Sequence, residues 1–222
     1  MTLPRACPDF IVFDLDGTLA NSEAGILSSF HSTLDDRGRS VDDEVLRDLI
    51  GPPLAESFLR LGFAPSEIDD VVSIYRSYYD RDGVAMSQLY EGVEEMLLTL
   101  DDAGIVLTVA TAKRVDFAER MLRGLGVDHM FQAISGATLD GRLNTKTEIL
   151  GHALSQLGAQ RTGGGWMVGD RHHDVTASKV HHVVSVGVTW GFGSRDELLG
   201  AGADIIITEP SQLTREVVSR LA

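Results

Sequence analysis

The first clear pattern in the chain is a run of four apolar residues that ends in acids. Phe10-Ile-Val-Phe13 is followed by Asp14, Leu15, Asp16 and Gly17. A short apolar run bounded by a turn residue is typical of a strand that is buried on both faces, as in a parallel sheet. We therefore predict a buried strand that ends at the acids, with a sharp exit at Gly17, where the missing side chain permits unusual backbone angles.

Between residues 20 and 87 the apolar positions recur three and four residues apart, which is the period of an amphipathic helix. Glycine and proline residues separate the helical segments from one another. We predict four helices here: one that ends near Gly38, one over 45–50, one over 55–61 and one that starts after Pro65 and runs toward Tyr79. No convincing strand is predicted in this stretch.

From Glu91 onward, strand patterns and helix patterns alternate. Strands are predicted over 105–110, 131–134, 166–168, 183–188 and 205–207, and helices over 93–100, 115–125, 147–157, after Asp174 and over 212–221, with a glycine turn at 163–165. Such alternation indicates a parallel sheet with helices on both faces. The predicted fold class is therefore α/β: a doubly wound parallel-sheet core (1–19 and 88–222) with a helical cap domain (20–87) inserted after the first strand.

Composition and net charge indicate which kinds of molecule the protein is not expected to bind. The 222 residues are 43% hydrophobic and carry a net charge of −14, with Cys7 as the only cysteine. This charge disfavours nucleic acid and anionic membranes as partners, and an anionic substrate would need local Lys and Arg. A single cysteine provides neither a disulfide framework nor a thiolate zinc cluster. Neither a signal region nor a run long enough to span a bilayer is visible, so we expect a cytoplasmic protein.

The acids Asp14 and Asp16 are the first candidates for chemistry. Residues two apart on an extended chain project to the same side, and two adjacent carboxylates repel unless one is protonated or a cation lies between them. The pair suits a nucleophile beside a proton donor, with a divalent metal. A calcium-binding loop is excluded, because its glycine and glutamate positions hold Leu19 and Gly25. From this segment alone, a plain turn at the end of the strand stays open.

Further polar residues stand where the other strands end, which is where ligands bind in open parallel sheets. Thr111, Ala112 and Lys113 follow the strand at 105–110, and Asp170 and Asp174 follow the strand at 166–168. Lys146 begins a predicted helix between those strands. Each residue alone has an ordinary explanation as a cap, a turn or a solvated side chain. Their joint occurrence in this order favours a common site.

In this order the residues resemble the motifs of the haloacid dehalogenase superfamily of phosphatases: Asp14-Leu-Asp-Gly-Thr18, Thr111, Lys146 and Gly169-Asp-Arg-His-His-Asp174. Three further segments are similar to the phosphoglycolate phosphatase-like group of that superfamily: 50–54, 90–93 and 187–194. The resemblance covers essentially the whole chain and implies a Rossmann-like core with an inserted cap. Ala112 stands where Ser or Asn is common, and Thr147 where Pro is frequent, so Lys113 is the fallback cation.

The resemblance also implies roles for these residues. Asp14 attacks phosphorus and becomes an aspartyl-phosphate, which water then hydrolyses, while Asp16 protonates the leaving oxygen and later deprotonates the water. Thr111 holds phosphate oxygens, together with nearby backbone amides that include the Ala112 region. Lys146 neutralises the charge of the aspartate and the phosphate.

The implied cofactor is Mg²⁺, a hard cation that prefers oxygen ligands. Asp14, Asp170 and the backbone carbonyl of Asp16 are the expected ligands. Asp174 is expected to act through water or by orienting the other ligands. A zinc site at His172-His173 or His181-His182 is not predicted, because adjacent residues on a helix face different directions.

Substrate selection is expected to come from the cap. Arg47, Arg76 and Tyr79 are the candidates there, and Lys113 and Arg114 lie on the core side of the same opening. Gly191-Phe-Gly193 matches the start of a dinucleotide-binding loop, but Asp196 stands where that motif has a third glycine, so such a loop is not predicted.

The sequence thus predicts a Mg²⁺-dependent phosphatase that hydrolyses a small phosphorylated metabolite, of the phosphoglycolate or nucleoside monophosphate kind. Two alternatives stay open: a sugar-phosphate mutase, and a regulatory protein that binds phosphate or transfers it to a protein partner. The presence of both Asp14 and Asp16 argues against an inactive binding module. The oligomeric state is not predicted.

Overall fold

A computed structural model describes residues 7–158 and 164–220 of the chain. In chain order its strands are β1 (Phe10–Phe13), β2 (Ala20–Asn21), β3 (Gln88–Leu89), β4 (Val106–Arg114), β5 (Ala133–Ala137), β6 (Trp166–Gly169), β7 (Val184–Val188) and β8 (Ile205–Ile207). Six of them form one sheet in the order β5-β4-β1-β6-β7-β8, and every neighbouring pair is parallel. The predicted α/β class is confirmed.

Helices lie between the strands. They are α1 (Glu23–Asp35), α2 (Asp43–Arg47), α3 (Leu54–Arg60), α4 (Ile68–Tyr78), α5 (Val93–Asp102), α6 (Val115–Gly124), α7 (Lys146–Gln156), α8 (His172–Val180), α9 (Arg195–Ala201) and α10 (Pro210–Val218). A π-helical turn over Tyr79–Gly83 continues α4. A helix long and apolar enough to span a bilayer does not occur in the described ranges.

β1 shows why the sheet is covered on both faces. Alternate residues of a strand point to opposite faces. Ile11 and Phe13 belong to a hydrophobic cluster that includes residues of α5, α6 and α10, while Phe10 and Val12 belong to a second cluster with residues of α7 and α8. All four side chains are buried. The continuous apolar run in the sequence therefore reflects a strand at the centre of a doubly wound sheet.

The helices between β2 and β3, residues 22–87, form what we call the cap segment. β2 and β3 pair antiparallel, so the chain enters and leaves the cap segment at the same place. Inside it, aromatic rings from α1, α3 and α4 meet: Phe30 lies 5.4 Å from Phe58 and 4.9 Å from Tyr75, between ring centroids. These residues belong to the same hydrophobic cluster as Ile11 and Phe13, which joins the cap segment to the sheet.

Several boundaries differ from the sequence-based predictions. β4 continues to Arg114 beyond the predicted end, with an irregular register between Thr111 and Arg114. α8 begins at His172, before Asp174, because the Asp174 side chain accepts the Arg171 amide at the start of the helix. The short pair β2–β3 and helix α9 were not predicted. The predicted turn at 163–165 and the end of the closing helix at Leu221 lie partly outside the described residues.

Candidate active site

Three buried carboxylates meet at the carboxyl edge of the sheet. Asp14, Asp170 and Asp174 offer oxygen atoms that lie within 4.8 Å of one another. They converge because β1 and β6 are neighbours: the Asp14 amide donates to the Val168 carbonyl at 2.9 Å. Asp174 reaches the same point from the first turn of α8. Sheet topology therefore assembles residues that are about 160 positions apart in sequence.

Lys146 is the cation that faces these acids. Thr145 caps α7 with its side chain, which places Lys146 in the first turn of the helix. Lys146 Nζ lies 2.7 Å from Asp14 Oδ1 and 2.9 Å from Asp174 Oδ1, and it donates to the Ala110 carbonyl at 3.1 Å. Burial opposes its charge, yet Asp14 and Asp174 outweigh that and hold the pKa of Lys146 above its ordinary value. The lysine therefore stays protonated inside the protein.

One buried lysine does not balance three buried acids. Burial raises the pKa of Asp14 to about 6, although Lys146 opposes the shift. Burial, with Asp14 and Asp174 close by, raises the pKa of Asp170 to about 8. Both shifts show that ionised forms are costly here without a further cation. A bound cation would therefore stabilise the ionised carboxylates of this cluster.

The chemistry of the cluster fits Mg²⁺. Its potential ligands are all carboxylate oxygens, which hard divalent cations prefer. Asp174 Oδ1 is buried, and the Lys146 ammonium lies 2.9 Å from it. These residues are thus suited to hold a divalent metal ion.

A glycine-rich loop encloses Asp170. Phe192 donates its backbone N–H to Asp170 Oδ2 at 2.8 Å. A side chain at Gly17, where φ is +81°, would place its Cβ 2.3 Å from that same oxygen, and one at Gly193 would collide with the Asp170 carbonyl. Only glycine permits this approach. Gly191-Phe-Gly193, considered above as a dinucleotide loop, thus encloses Asp170, a contact that its sequence did not predict.

Asp16 has a different set of neighbours from Asp14. Lys113 Nζ lies 3.1 Å from Asp16 Oδ2, and the Ser22 hydroxyl donates to Asp16 Oδ1. Lys113 also donates to the Tyr79 hydroxyl at 2.6 Å, which links the core to the cap segment. Burial opposes the charge of Lys113, but Asp16 and Tyr79 raise its pKa. Asp14 therefore pairs with Lys146, and Asp16 pairs with Lys113. Both of the lysines that the sequence offered as candidates lie at the site.

The site opens into a cavity of about 260 Å³ between the core and the cap segment. Eight of the predicted site residues line it: Asp14, Asp16, Arg76, Tyr79, Thr111, Ala112, Lys113 and Arg114. Lys146, Asp170 and Asp174 are buried beneath that surface. Arg47 is not among the described residues that line the cavity, because its Nε pairs with Glu23 Oε1 at 2.6 Å on the outside of the cap segment.

Arg171 forms a second link between the core and the cap segment, one that sequence reasoning missed. Its guanidinium donates to the carbonyl of Ile50, which lines the cavity. Glu197 holds it in place at 3.0 Å and also accepts the backbone N–H of His172 at 2.9 Å. Despite partial burial, these donors lower the pKa of Glu197 to about 2. The contact of Arg171 with Ile50 and Glu197 could not be predicted from the sequence, because these residues lie far apart along the chain.

The residues at 11–188 match the family model of the haloacid dehalogenase-like hydrolases. The chain belongs to this family. Its fold is close to that of a predicted phosphatase from Clostridium acetobutylicum, with a TM-score of 0.89, 33% identity, and 96% of this chain and 99% of that chain covered. The suspected superfamily is confirmed.

Relatives within the family differ in the activity that their names give. The tyrosine-protein kinase PtkA of Mycobacterium tuberculosis is 39% identical over 87% of this chain, and the chain spans 66% of its length. A 5'-nucleotidase of Pseudomonas aeruginosa is 36% identical over 85% of this chain and 86% of its own. The family is therefore clear, whereas the substrate has to be argued from the site.

Proposed function

We propose that the protein is a Mg²⁺-dependent phosphatase that hydrolyses a small phosphorylated metabolite through an aspartyl-phosphate on Asp14. One observation carries this proposal. Asp14 lies at the floor of the cavity, in contact with Lys146, and shares a carboxylate cluster with Asp170 and Asp174. Phosphoryl transfer depends on positioning and on compensating charge, and this arrangement supplies both.

Asp14 is the nucleophile in this proposal. Its Oδ1 accepts the Leu15 amide at 2.7 Å and contacts Lys146, which leaves Oδ2 for the attack on phosphorus. Lys146 favours the ionised carboxylate in spite of burial. The new bond joins Oδ2 to phosphorus as the bond to the leaving oxygen breaks. Thr111, which lines the cavity beside Asp14, holds phosphate oxygens.

Asp16 is the proton carrier. It contacts Lys113 and lines the cavity beside Asp14, where it can accept a proton from the water that hydrolyses the aspartyl-phosphate. When a phosphate dianion enters, Lys113 is placed to turn toward it. Asp16 can then hold the proton that the leaving oxygen takes. Tyr79 limits how far Lys113 moves, because it accepts a hydrogen bond from Nζ.

The metal would be held by Asp14, Asp170 and the backbone carbonyl of Asp16, with Asp174 orienting that set. Bound there, Mg²⁺ would neutralise phosphate charge. Residues 20–87 would act as a cap that excludes water and contacts the leaving group, on a core of 1–19 and 88–222. A role of Arg76 in binding the substrate is part of this proposal, whereas the position of Arg47 gives no support to such a role.

A screen of phosphorylated metabolites with Mg²⁺ and with a chelator tests the proposal. We expect the chelator to abolish phosphate release, and Asp14→Asn to lower turnover by at least about 10³-fold, because the nucleophile is lost. Asp140→Asn is the matched control, since Asp140 is exposed and pairs with Arg142. Wild-type turnover in Asp14→Asn would overturn the nucleophile, and unchanged activity under chelator would overturn the metal.

The name of the PtkA relatives supports a second candidate, phosphoryl transfer to or from a protein tyrosine. The same Asp14 would carry the phosphoryl group in that reaction. Incubation with γ-labelled ATP and a tyrosine-containing acceptor tests it. Label on the acceptor that depends on Asp14 would favour transfer, and release of free phosphate alone would favour hydrolysis.

A further inference from the structure

The cavity above Asp14 is walled mainly by apolar side chains. Ile50, Val72 and Phe117 are among them, and they come from both the cap segment and the core. A phosphate group fills only the end near the acids. Apolar surface facing an aqueous cavity is unfavourable, and a ligand with apolar surface of its own would cover it. The wall therefore favours a leaving group with an apolar body.

The arginines of the cap segment differ in whether they have hydrogen-bond or ion-pair partners. This segment has six arginines and no lysine. Four have hydrogen-bond or ion-pair partners within the segment: Arg37, Arg39, Arg47 and Arg81. Arg60 and Arg76 have neither among the described residues. Arg60 is exposed to water, whereas Arg76 is half-buried and lines the cavity.

The surroundings of Arg76 leave its charge uncompensated. Burial and the neighbouring Arg114 lower its pKa, and Asp116 opposes them only partly. Asp116 is itself bound by the Arg114 guanidinium. A guanidinium that is partly withdrawn from water without a partner is costly, and an anion that accepts its hydrogen bonds removes that cost. In a chain with a net charge of −14, such a free cation inside the cavity points to an anionic ligand group.

We propose that the substrate is a phosphate monoester whose leaving group has an apolar body and an anionic group, and that Arg76 binds this anionic group. The proposal rests on the phosphatase function proposed above. Phosphoglycolate supplies the anion without the apolar body, and a nucleoside monophosphate supplies the body without a second anion. The observations on Arg76 and on the cavity wall therefore favour a carboxylated substrate with a larger apolar part.

Three primary alkyl phosphates test both features: 4-(phosphonooxymethyl)benzoate, its carboxamide analogue, and phosphoglycolate. The first two have nearly the same size and differ in one charge. We expect the benzoate to have a KM about tenfold lower than the carboxamide, which is the effect of one hydrogen-bonded charge. We also expect it to exceed phosphoglycolate in kcat/KM by about tenfold, because its ring covers apolar wall.

Variants of Arg76 assign the charge effect to this residue. Arg76→Met should bring the KM values of benzoate and carboxamide within about twofold of each other, with kcat little changed. Arg76→Lys should restore part of the difference, because it restores the charge. Arg60→Met is the matched control, since Arg60 also has no partner among the described residues but lies outside the cavity lining, and it should keep the wild-type ratio.

Each outcome decides the proposal. Equal KM values in the wild type would overturn the anionic group, and this comparison needs no variant to fold. A wild-type ratio in Arg76→Met, or its loss in Arg60→Met, would overturn the assignment to Arg76. Preference for phosphoglycolate would overturn the apolar body. If the wild type released no phosphate from these esters or from any metabolite of the screen, the phosphatase proposal itself would fail, which separates the two failures.

Discussion

The carboxyl edge of the sheet and the interior of the cap segment are stabilised by different forces. At the sheet edge, buried charges lie 2.7–2.9 Å apart, as between Lys146 and the acids Asp14 and Asp174. In the cap segment, aromatic rings such as Phe30 and Phe58 pack against each other. Buried ion pairs hold their atoms at defined positions, but removing the charges from water costs free energy. Apolar packing stabilises the fold and tolerates small changes in the position and shape of side chains. The sheet edge, where charges hold atoms in place, therefore suits the phosphoryl-transfer reaction. The cap segment, where packing tolerates changes in position, suits recognition of the substrate.

The contrast also explains how the two regions meet. Beside the hydrophobic cluster that they share, two polar links lie close to the site: Lys113 with Tyr79, and Arg171 with the carbonyl of Ile50. Both links come from loops or strand ends of the core that also carry site residues. Movement of the cap segment would therefore alter contacts beside Asp16 and Asp170.

Lys146→Met tests the charged region and should have the largest effect. It leaves Asp14 and Asp174 without their cation, so we expect turnover to fall about 10²–10³-fold. Removing one partner of a buried ion pair should also lower the free energy of unfolding by about 3–5 kcal/mol when metal is absent. Steady-state kinetics and urea unfolding with and without Mg²⁺ measure the two effects.

Lys179→Met is the control for that variant, because Lys179 is an exposed residue of α8. It should change the free energy of unfolding by less than about 0.5 kcal/mol. Equal stability and turnover in Lys146→Met and the wild type would show that the sheet edge is not organised by charge.

Phe58→Ala tests the apolar region. Phe58 is fully buried, with ring centroids 5.5 Å from Phe63 and 6.0 Å from Tyr75. Loss of its ring should cost about 3–5 kcal/mol of unfolding free energy. Turnover measured well below the unfolding transition should fall less than in Lys146→Met, since the charged cluster is intact.

The neighbouring Leu59 offers the control, because its side chain is 46% exposed. Leu59→Ala should cost about 1 kcal/mol or less. A loss of turnover in Phe58→Ala as large as that in Lys146→Met, at full occupancy of the folded state, would contradict the division between chemistry and selection.

Arg171→Met tests the link between the regions, with the smallest expected effect. The Ile50 carbonyl and Glu197 lose their partner, so the cavity wall at Ile50 should become less ordered. We expect KM to rise about tenfold with a smaller change in kcat, the effect of one charge-assisted hydrogen bond. Arg120→Met removes an exposed ion pair with Asp80 across the same boundary and should change KM less than about twofold. A fall in kcat alone would place Arg171 at the reacting centre instead.

Much of the core was predictable because its signals are local. The apolar run at 10–13, the glycine at position 17 and the polar residues after each strand follow from backbone geometry and burial, and the parallel sheet follows from alternation. The end of β4, where the register becomes irregular, was misplaced, and so was the start of α8, which the Asp174 side chain sets by accepting the Arg171 amide. The contacts of Glu197 and Tyr79 were not predictable, because they join elements far apart in sequence.

The sequence by itself determined the elements of this protein and the residue types at their ends. It also determined the family, because the acids, the threonine and the lysine occur in a recognisable order. Tertiary structure alone decided the pairing: Lys146 lies with Asp14 and Asp174, and Lys113 with Asp16, whereas Arg76 lines the cavity with no partner in the part of the chain that the structure describes. The physical reason is that residue type and local spacing set secondary structure, whereas charge compensation depends on which strands and helices become neighbours in space.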